Sequence, residues 1–109
     1  METRLAKADD NIIDEAAELL SNERFTDTLW DLVLRAPQIA RGILPGQFVH
    51  MKVPGMDGHI LRRPFSVYAA DAQEGTLRIL YQVVGKGSAH MTTLSPGRVD
   101  AISLLGPMG

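Results

Sequence analysis

Short runs in which apolar and polar residues alternate recur along this chain, and they predict a protein built from β-strands. The clearest runs are Trp30–Leu34, Val49–Val53 and Leu77–Val83, where every second residue is apolar. A final apolar run from Val99 to Leu105 predicts one more strand. Turn pairs such as Pro-Gly and Asp-Gly separate the runs, because proline and glycine supply the dihedral angles of a chain reversal. Short strands at this spacing are typical of an all-β barrel or sandwich.

One segment breaks the alternation and predicts a single short helix. Residues Gly87 to Leu94 lack a two-residue period and begin beside a capping serine, Ser88. The segment stops at the turn Ser95-Pro96-Gly97.

The first twenty residues admit two interpretations. The apolar residues between Ile12 and Leu20 have helical spacing. A sheet, however, requires a strand before Trp30, and Ala17–Arg24 is the only candidate. We therefore predict a loosely held tail over residues 1–14 and one domain over residues 15–109 that begins with a strand.

Composition and charge exclude several classes of function. The 109 residues suffice for one domain with one core, and the net charge of −2 argues against general nucleic-acid binding. Without cysteine, the chain offers no disulfide and no thiolate ligand for a metal or iron–sulfur cluster, and its three histidines lack the spacing of a metal site. No apolar run reaches the roughly 18 residues needed to span a membrane. Because the N-terminus also lacks a secretory signal, we expect a cytoplasmic protein.

Candidate binding chemistry begins in the segment Leu61–Val67. Arg63 has a planar fork of N–H donors that matches a phosphate bidentately, and Ser66 could hydrogen-bond a polar ring. Strand alternation places Arg63 and Phe65 on one side and Ser66 on the other. All three reach one ligand only if it lies along a strand edge or the strand is bulged. Pro64 favours an edge, because it lacks the N–H that a central strand needs.

The second candidate segment follows one hairpin later, at Leu80–Ser88. Its Gly85-Lys86-Gly87-Ser88 turn has glycines that permit positive φ and close backbone approach. The amides of Gly87, Ser88 and Ala89 would point outward from a helix start, where an anion is favoured. Phe65 or Tyr81 could pack against a flat ring. The two segments together suit the diphosphate and the ring of a flavin dinucleotide.

Each segment also has a structural interpretation. An arginine pair is commonly solvated surface, and Gly-x-Gly-Ser is commonly a turn with a helix cap. Neither motif is specific alone, whereas their joint occurrence on a β-patterned chain favours the cofactor site. No nucleophile–base pair or carboxylate dyad stands out, so we predict no catalytic residue.

These motifs resemble those of ferredoxin-reductase-like flavoproteins, and in particular the electron transfer subunits of type B dihydroorotate dehydrogenases. The resemblance covers about residues 15–109. It rests on the order of four motifs, Pro45–His50, Leu61–Val67, Tyr81–Ser88 and Leu105–Gly109.

The resemblance implies a six-stranded antiparallel Greek-key barrel with one short helix that binds FAD. Arg63 would contact the pyrophosphate and Ser66 the flavin ring, with Phe65 in place of the usual tyrosine. Backbone of Tyr81–Val84 would line the ring, and Gly85, Gly87 and Ser88 would hold the pyrophosphate. The predicted cofactor-binding residues are Arg63, Pro64, Phe65, Ser66, Tyr81, Gln82, Val83, Val84, Gly85, Lys86, Gly87 and Ser88.

Members of this family continue into a nicotinamide-binding domain and a cysteine-rich segment with a [2Fe–2S] cluster, which this chain lacks. The resemblance therefore implies the flavin part of an NADH-linked oxidoreductase, inactive as a fragment. In the intact heterotetramer, electrons would pass from NADH through FAD to a catalytic dihydroorotate dehydrogenase subunit of pyrimidine biosynthesis. Two alternatives stay open: the flavin subunit of a hydrogenase or sulfide dehydrogenase complex, and an interaction barrel that binds no flavin.

Overall fold

The computed structural model describes residues 12–53 and 62–109, which form six strands and two short helices. The strands are β1 (Ile13–Arg24), β2 (Leu29–Arg35), β3 (Phe48–Lys52), β4 (Arg62–Asp71), β5 (Thr76–Gln82) and β6 (Ile102–Met108). The helices are α1 (Pro37–Gly42) and α2 (Lys86–Met91). Neither helix is long and apolar enough to cross a membrane, and the rest of the described chain contains no such helix.

The strands close into an antiparallel barrel in the order β1-β2-β5-β4-β3-β6. Two long strands, β1 and β4, each pair with different neighbours along their length. β1 pairs with β6 over Ile13–Ala17 and with β2 over Glu18–Arg24. β4 pairs with β3 over Arg62–Ser66 and with β5 over Val67–Asp71. Strands that change partners in this way turn the corners between two sheets. The predicted six-stranded antiparallel barrel is confirmed.

The barrel interior is filled by the inward-facing residues of the alternating runs. Leu32, Leu34, Leu77, Ile79 and Leu104 are among the residues whose exposure is zero. Burial of such side chains is the main favourable term in folding, at about 25 cal/mol per Å² of apolar surface. The two-residue period in the sequence therefore reports directly which face of each strand packs inward.

The N-terminal segment is a strand, which settles the ambiguity between helix and strand over Ile12–Leu20. Its inward residues Glu15, Ala17 and Leu19 alternate with exposed ones, and pairing to β6 and β2 satisfies its backbone. β1 begins at Ile13, two residues before the predicted domain boundary. The remainder of the predicted tail, residues 1–11, lies outside the described residues, as does the segment 54–61.

The prediction of one helix was wrong, because α1 also forms. Pro37 occupies the first helical turn, where its missing N–H costs nothing. The helix has no side-chain cap of its own; instead the buried carboxylate of Glu15 on β1 accepts hydrogen bonds from Gln38 N at 3.0 Å and Ile39 N at 2.8 Å. A six-residue helix capped from another strand leaves no periodic signal in its own sequence.

Replacement of Glu15 by alanine should lower the free energy of unfolding by about 1 kcal/mol, the typical cost of losing a helix N-cap. Glu18 on the same strand is the matched control, because it forms only an exposed ion pair with Arg35 at 3.6 Å. Glu18→Ala should change stability by no more than about 0.5 kcal/mol. Urea denaturation followed by Trp30 fluorescence measures both. Equal losses for the two variants would contradict the capping role of Glu15.

Two other boundaries differ from the sequence-based expectation. α2 begins one residue earlier than predicted and ends at Met91, with Thr92–Leu94 continuing as turns. The last strand begins at Ile102 rather than Val99.

Candidate functional site

A cleft opens where β4 and β5 separate. These two strands are paired from Val67, opposite Ile79, to Asp71, opposite Thr76. Beyond Val67, the first half of β4 pairs with β3, while Leu80–Gln82 pair with β2. Each stretch therefore turns towards the cleft a strand edge that pairs with no other described strand, and the register shift between Val67 and Ala69 lies where the two strands part. This is the edge position that Pro64 predicted.

The cleft has a volume of about 560 Å³ and gathers nearly the whole predicted site. Eleven of the twelve predicted residues line it; Val83 does not, and Leu80 and Met91 do so without having been predicted. The predicted residues in its lining are Arg63, Pro64, Phe65, Ser66, Tyr81, Gln82, Val84, Gly85, Lys86, Gly87 and Ser88. Leu80 could have been found from the sequence, since it shares the outward face of β5 with Gln82.

Arg63 and the glycine turn meet inside this cleft. A Cβ added at Gly87 would lie 3.2 Å from Arg63 Nε and 3.3 Å from Arg63 Cζ. The guanidinium therefore lies directly against the Gly87 backbone, and only a residue without a side chain leaves it that position. The cation and the helix start face one shared space rather than opposite sides of the barrel.

Arg62, the neighbour of Arg63, has a different role. Its Nη2 donates to Ser103 Oγ at 2.7 Å, its Nη1 donates to Ser103 O at 3.2 Å, and Nη2 lies 3.9 Å from Asp14 Oδ1. These contacts join β4 to β6 and β1 on the side of the strand away from the cleft. Arg62 is thus a structural residue, whereas Arg63 lines the cleft.

The Gly85–Ser88 turn is held by Ser88, although not in the predicted way. Gly85 is the N-cap residue of α2, and Ser88 Oγ accepts from Val84 N at 2.9 Å and from Gly85 N at 3.1 Å. Ala89 N donates to Gly85 O at 2.8 Å, so the expectation that it faces the ligand was wrong. Neither Gly85 nor Gly87 adopts the positive φ that glycine permits, and Gly85 is extended, with φ of −162°. The close approach of Arg63, rather than backbone strain, is what favours glycine at position 87.

The side chain of Tyr81 belongs to the core. Only 3% of Tyr81 is exposed, and its ring lies 6.4 Å from that of Trp30 between centroids. Its hydroxyl donates to Asn22 Oδ1 at 2.8 Å. Burial raises the pKa of Tyr81 to about 12, so the hydroxyl keeps its proton at neutral pH. Packing of the Tyr81 ring on a flat ligand is therefore excluded, and its backbone is what borders the cleft.

Other side chains give the cleft a mixed surface. Ser66 is exposed, and Phe65 is half-buried against the core beneath it. Val84 is 79% exposed and Leu80 is 37% exposed, which leaves apolar surface beside the strand edges. A cationic end at Arg63 and Gly87 thus continues into an apolar and hydrogen-bonding end, an arrangement whose chemistry suits a ligand with a diphosphate and a flat ring.

A family model described as the oxidoreductase FAD-binding domain matches residues 16–109. Among curated relatives, the electron transfer subunit of dihydroorotate dehydrogenase B (NAD(+)) from Desulforamulus reducens is 40% identical over 74 residues, covering 68% of this chain and 28% of the relative. The corresponding subunit from Geobacillus thermodenitrificans is 36% identical over 95 residues, covering 87% of this chain and 36% of the relative. The chain thus spans about a third of the length of these relatives.

Solved structures share the barrel. The NADH-dependent reduced ferredoxin-NADP oxidoreductase superimposes with a TM-score of 0.75 at 24% identity, over 86% of this chain and 33% of that one. The ferredoxin reductase of carbazole 1,9a-dioxygenase gives a TM-score of 0.74 at 24% identity, over 90% of this chain and 29% of that one. At such identity the likeness concerns the fold alone.

Proposed function

The chain belongs to the oxidoreductase FAD-binding domain family, and from this premise we propose that the cleft between β4 and β5 is where it holds FAD. The observation that carries the proposal is the contact between the Arg63 guanidinium and the Gly87 backbone inside one cleft. That contact puts a bidentate cation next to the first turn of α2, whose leading amides have no intrahelical acceptor.

The residues of the cleft fit FAD in their chemistry. Arg63, Gly87 and the backbone of Ser88 would hold the diphosphate. Ser66 would hydrogen-bond the ring from one strand edge, and the backbone of Tyr81 and Gln82 would do so from the other. Phe65, Leu80 and Val84 supply apolar surface. Pro64, Gly85 and Lys86 complete the lining, while Val83, which lies outside it, is proposed only as a neighbour of the ring-binding backbone.

The chemistry of the bound cofactor is acceptance of a hydride and release of single electrons, and the chain contributes binding and orientation. Ser66 and the free strand edges would fix the ring plane, and Arg63 would neutralise the diphosphate.

For the whole protein, we propose the role named for its relatives. FAD in the domain at residues 15–109 would carry electrons from NADH to a catalytic dihydroorotate dehydrogenase subunit, in a cytoplasmic assembly. The supporting observation is the 33–40% identity to several electron transfer subunits of dihydroorotate dehydrogenase B. Because the chain spans a third of those relatives, NADH binding, the heterotetramer and the onward electron path rest on parts outside it.

The test is a titration of purified, flavin-free protein with FAD. We expect saturable binding at one site, with quenching of flavin fluorescence, and stabilisation of about 2.7 kcal/mol when free FAD is 100 times Kd. Riboflavin, which lacks the diphosphate, is the matched ligand and should bind much more weakly. Absence of both saturation and thermal stabilisation would favour the interaction barrel that binds no flavin.

A further inference from the structure

Asn22 on β1 joins three elements behind the cleft. Its Nδ2 donates to Met91 O at 2.7 Å and to Leu94 O at 2.9 Å, at the C-terminal end of α2. Its Oδ1 accepts the Tyr81 hydroxyl at 2.8 Å. Both amide hydrogens and the carbonyl oxygen are therefore used. The amide orientation is fixed, because a flip would place the Asn22 Oδ1 acceptor against the two carbonyl oxygens of Met91 and Leu94.

A β-bulge puts this side chain in place. Pairing between β1 and β2 shifts register between Leu19 and Ser21, so Leu20 is an extra residue. Before the bulge, the odd-numbered residues face inward and Leu19 lies opposite Leu34; after it, Asn22 lies opposite the buried Leu32. A bulge of this kind re-aims the residues that follow it. Without the extra residue, Ser21 would face the core instead.

The link to the cleft runs through the short helix. Met91, whose carbonyl accepts from Asn22, is fully buried and lines the cleft. Gly87, one turn earlier in α2, lies against the Arg63 guanidinium. A shift at the C-terminal end of a six-residue helix moves its first turn as well, since intrahelical hydrogen bonds tie the two ends together. The Arg63–Gly87 distance therefore depends on how the helix is anchored.

We propose that Asn22 is a positioning residue for the diphosphate end of the cleft: it anchors α2 so that Gly87 stays against Arg63. The proposal deepens the proposed FAD site and rests on it for its effect on affinity. The placement of α2 itself is a property of the protein without ligand, and it is measured independently.

Asn22→Asp keeps the size and removes both donated hydrogens, placing a carboxylate beside two carbonyl oxygens. In ¹⁵N–¹H spectra of the flavin-free protein, the Gly87 amide and Arg63 Nε resonances should move, and FAD should bind about fivefold more weakly. Tyr81→Phe removes only the hydroxyl that orients Asn22 and should produce smaller changes of the same kind. It serves as the second variant should Asn22→Asp unfold. Ser21→Ala is the control and should leave both resonances and affinity unchanged.

A cycle with Arg63→Ala separates positioning from general stability. If Asn22 acts through the Arg63–Gly87 contact, Asn22→Asp should weaken FAD binding less than twofold once Arg63 is gone. An equal fold-loss with and without Arg63, or a lower Tm with unmoved Gly87 and Arg63 resonances, would overturn the proposal. Failure of the wild-type protein to bind FAD would instead reject the proposed function, and the resonance measurement would still decide the role of Asn22.

Discussion

Arg63→Ala is expected to weaken FAD binding by about 10- to 150-fold while leaving the fold intact. The range is the loss of one charge-assisted contact to a phosphate, about 1.5–3 kcal/mol. The fold should be unaffected because Arg63 is exposed and its guanidinium packs on the Gly87 backbone rather than in the core. Titration of flavin-free protein with FAD gives the affinity, and urea denaturation without FAD gives the stability.

Arg62→Ala is the matched control, since it removes the same side chain from the adjacent position. Its contacts with Ser103 and Asp14 are structural, so the variant should lose about 0.5–1.5 kcal/mol of stability and less than threefold in FAD affinity. Arg63→Lys should fall between wild type and Arg63→Ala, because lysine keeps the charge and loses the bidentate fork. Similar affinities for the Arg62 and Arg63 variants would contradict the assignment of the diphosphate to Arg63.

The sequence predicted the parts of this fold in which local pattern and tertiary packing agree. Leu77, Ile79 and Tyr81 alternate in the sequence and are all buried in β5, because a strand with one inward face has a period of two. The edge position at Pro64 was predicted from the missing N–H alone. The Arg63 and Gly87 motifs lie far apart in sequence, and the β4–β5 hairpin brings them into one cleft.

The sequence did not predict the contacts that a single side chain makes with an element distant in the chain. Glu15 lies in a segment whose pattern suits either a helix or a strand, and its capping of α1 depends on the barrel bringing β1 beside Gln38 and Ile39. The role of Asn22 could not be predicted, because a β-bulge decides which side of β1 it faces and the alternation of apolar and polar residues does not reveal the bulge. The option that the Tyr81 ring packs on a flat ligand was wrong, since the ring is buried and its hydroxyl has a hydrogen-bonding partner inside the barrel.

Gly87→Ala should raise the stability of the flavin-free protein and weaken its binding of FAD. Alanine in a helix is favoured over glycine by roughly 0.5–1 kcal/mol. The new Cβ, however, would lie 3.2 Å from Arg63 Nε, tighter than ordinary contact, so the exposed guanidinium must shift by a few tenths of an ångström. A bidentate contact depends on the alignment of both N–H groups, and we expect this shift to weaken FAD binding by roughly three- to tenfold. Thermal unfolding without FAD and fluorescence titration with FAD measure the two opposite effects.

Gly42→Ala provides the comparison, because Gly42 ends the other short helix and a Cβ there meets nothing within 4 Å. This variant should leave FAD affinity unchanged, whatever it gains in helix propensity. The Arg63→Ala background supplies the remaining test: without a guanidinium to displace, Gly87→Ala should change FAD affinity by less than about twofold. A loss of roughly three- to tenfold that persisted without Arg63 would mean that the methyl group obstructs the ligand itself. The requirement for glycine would then come from the cofactor rather than from the arginine beside it.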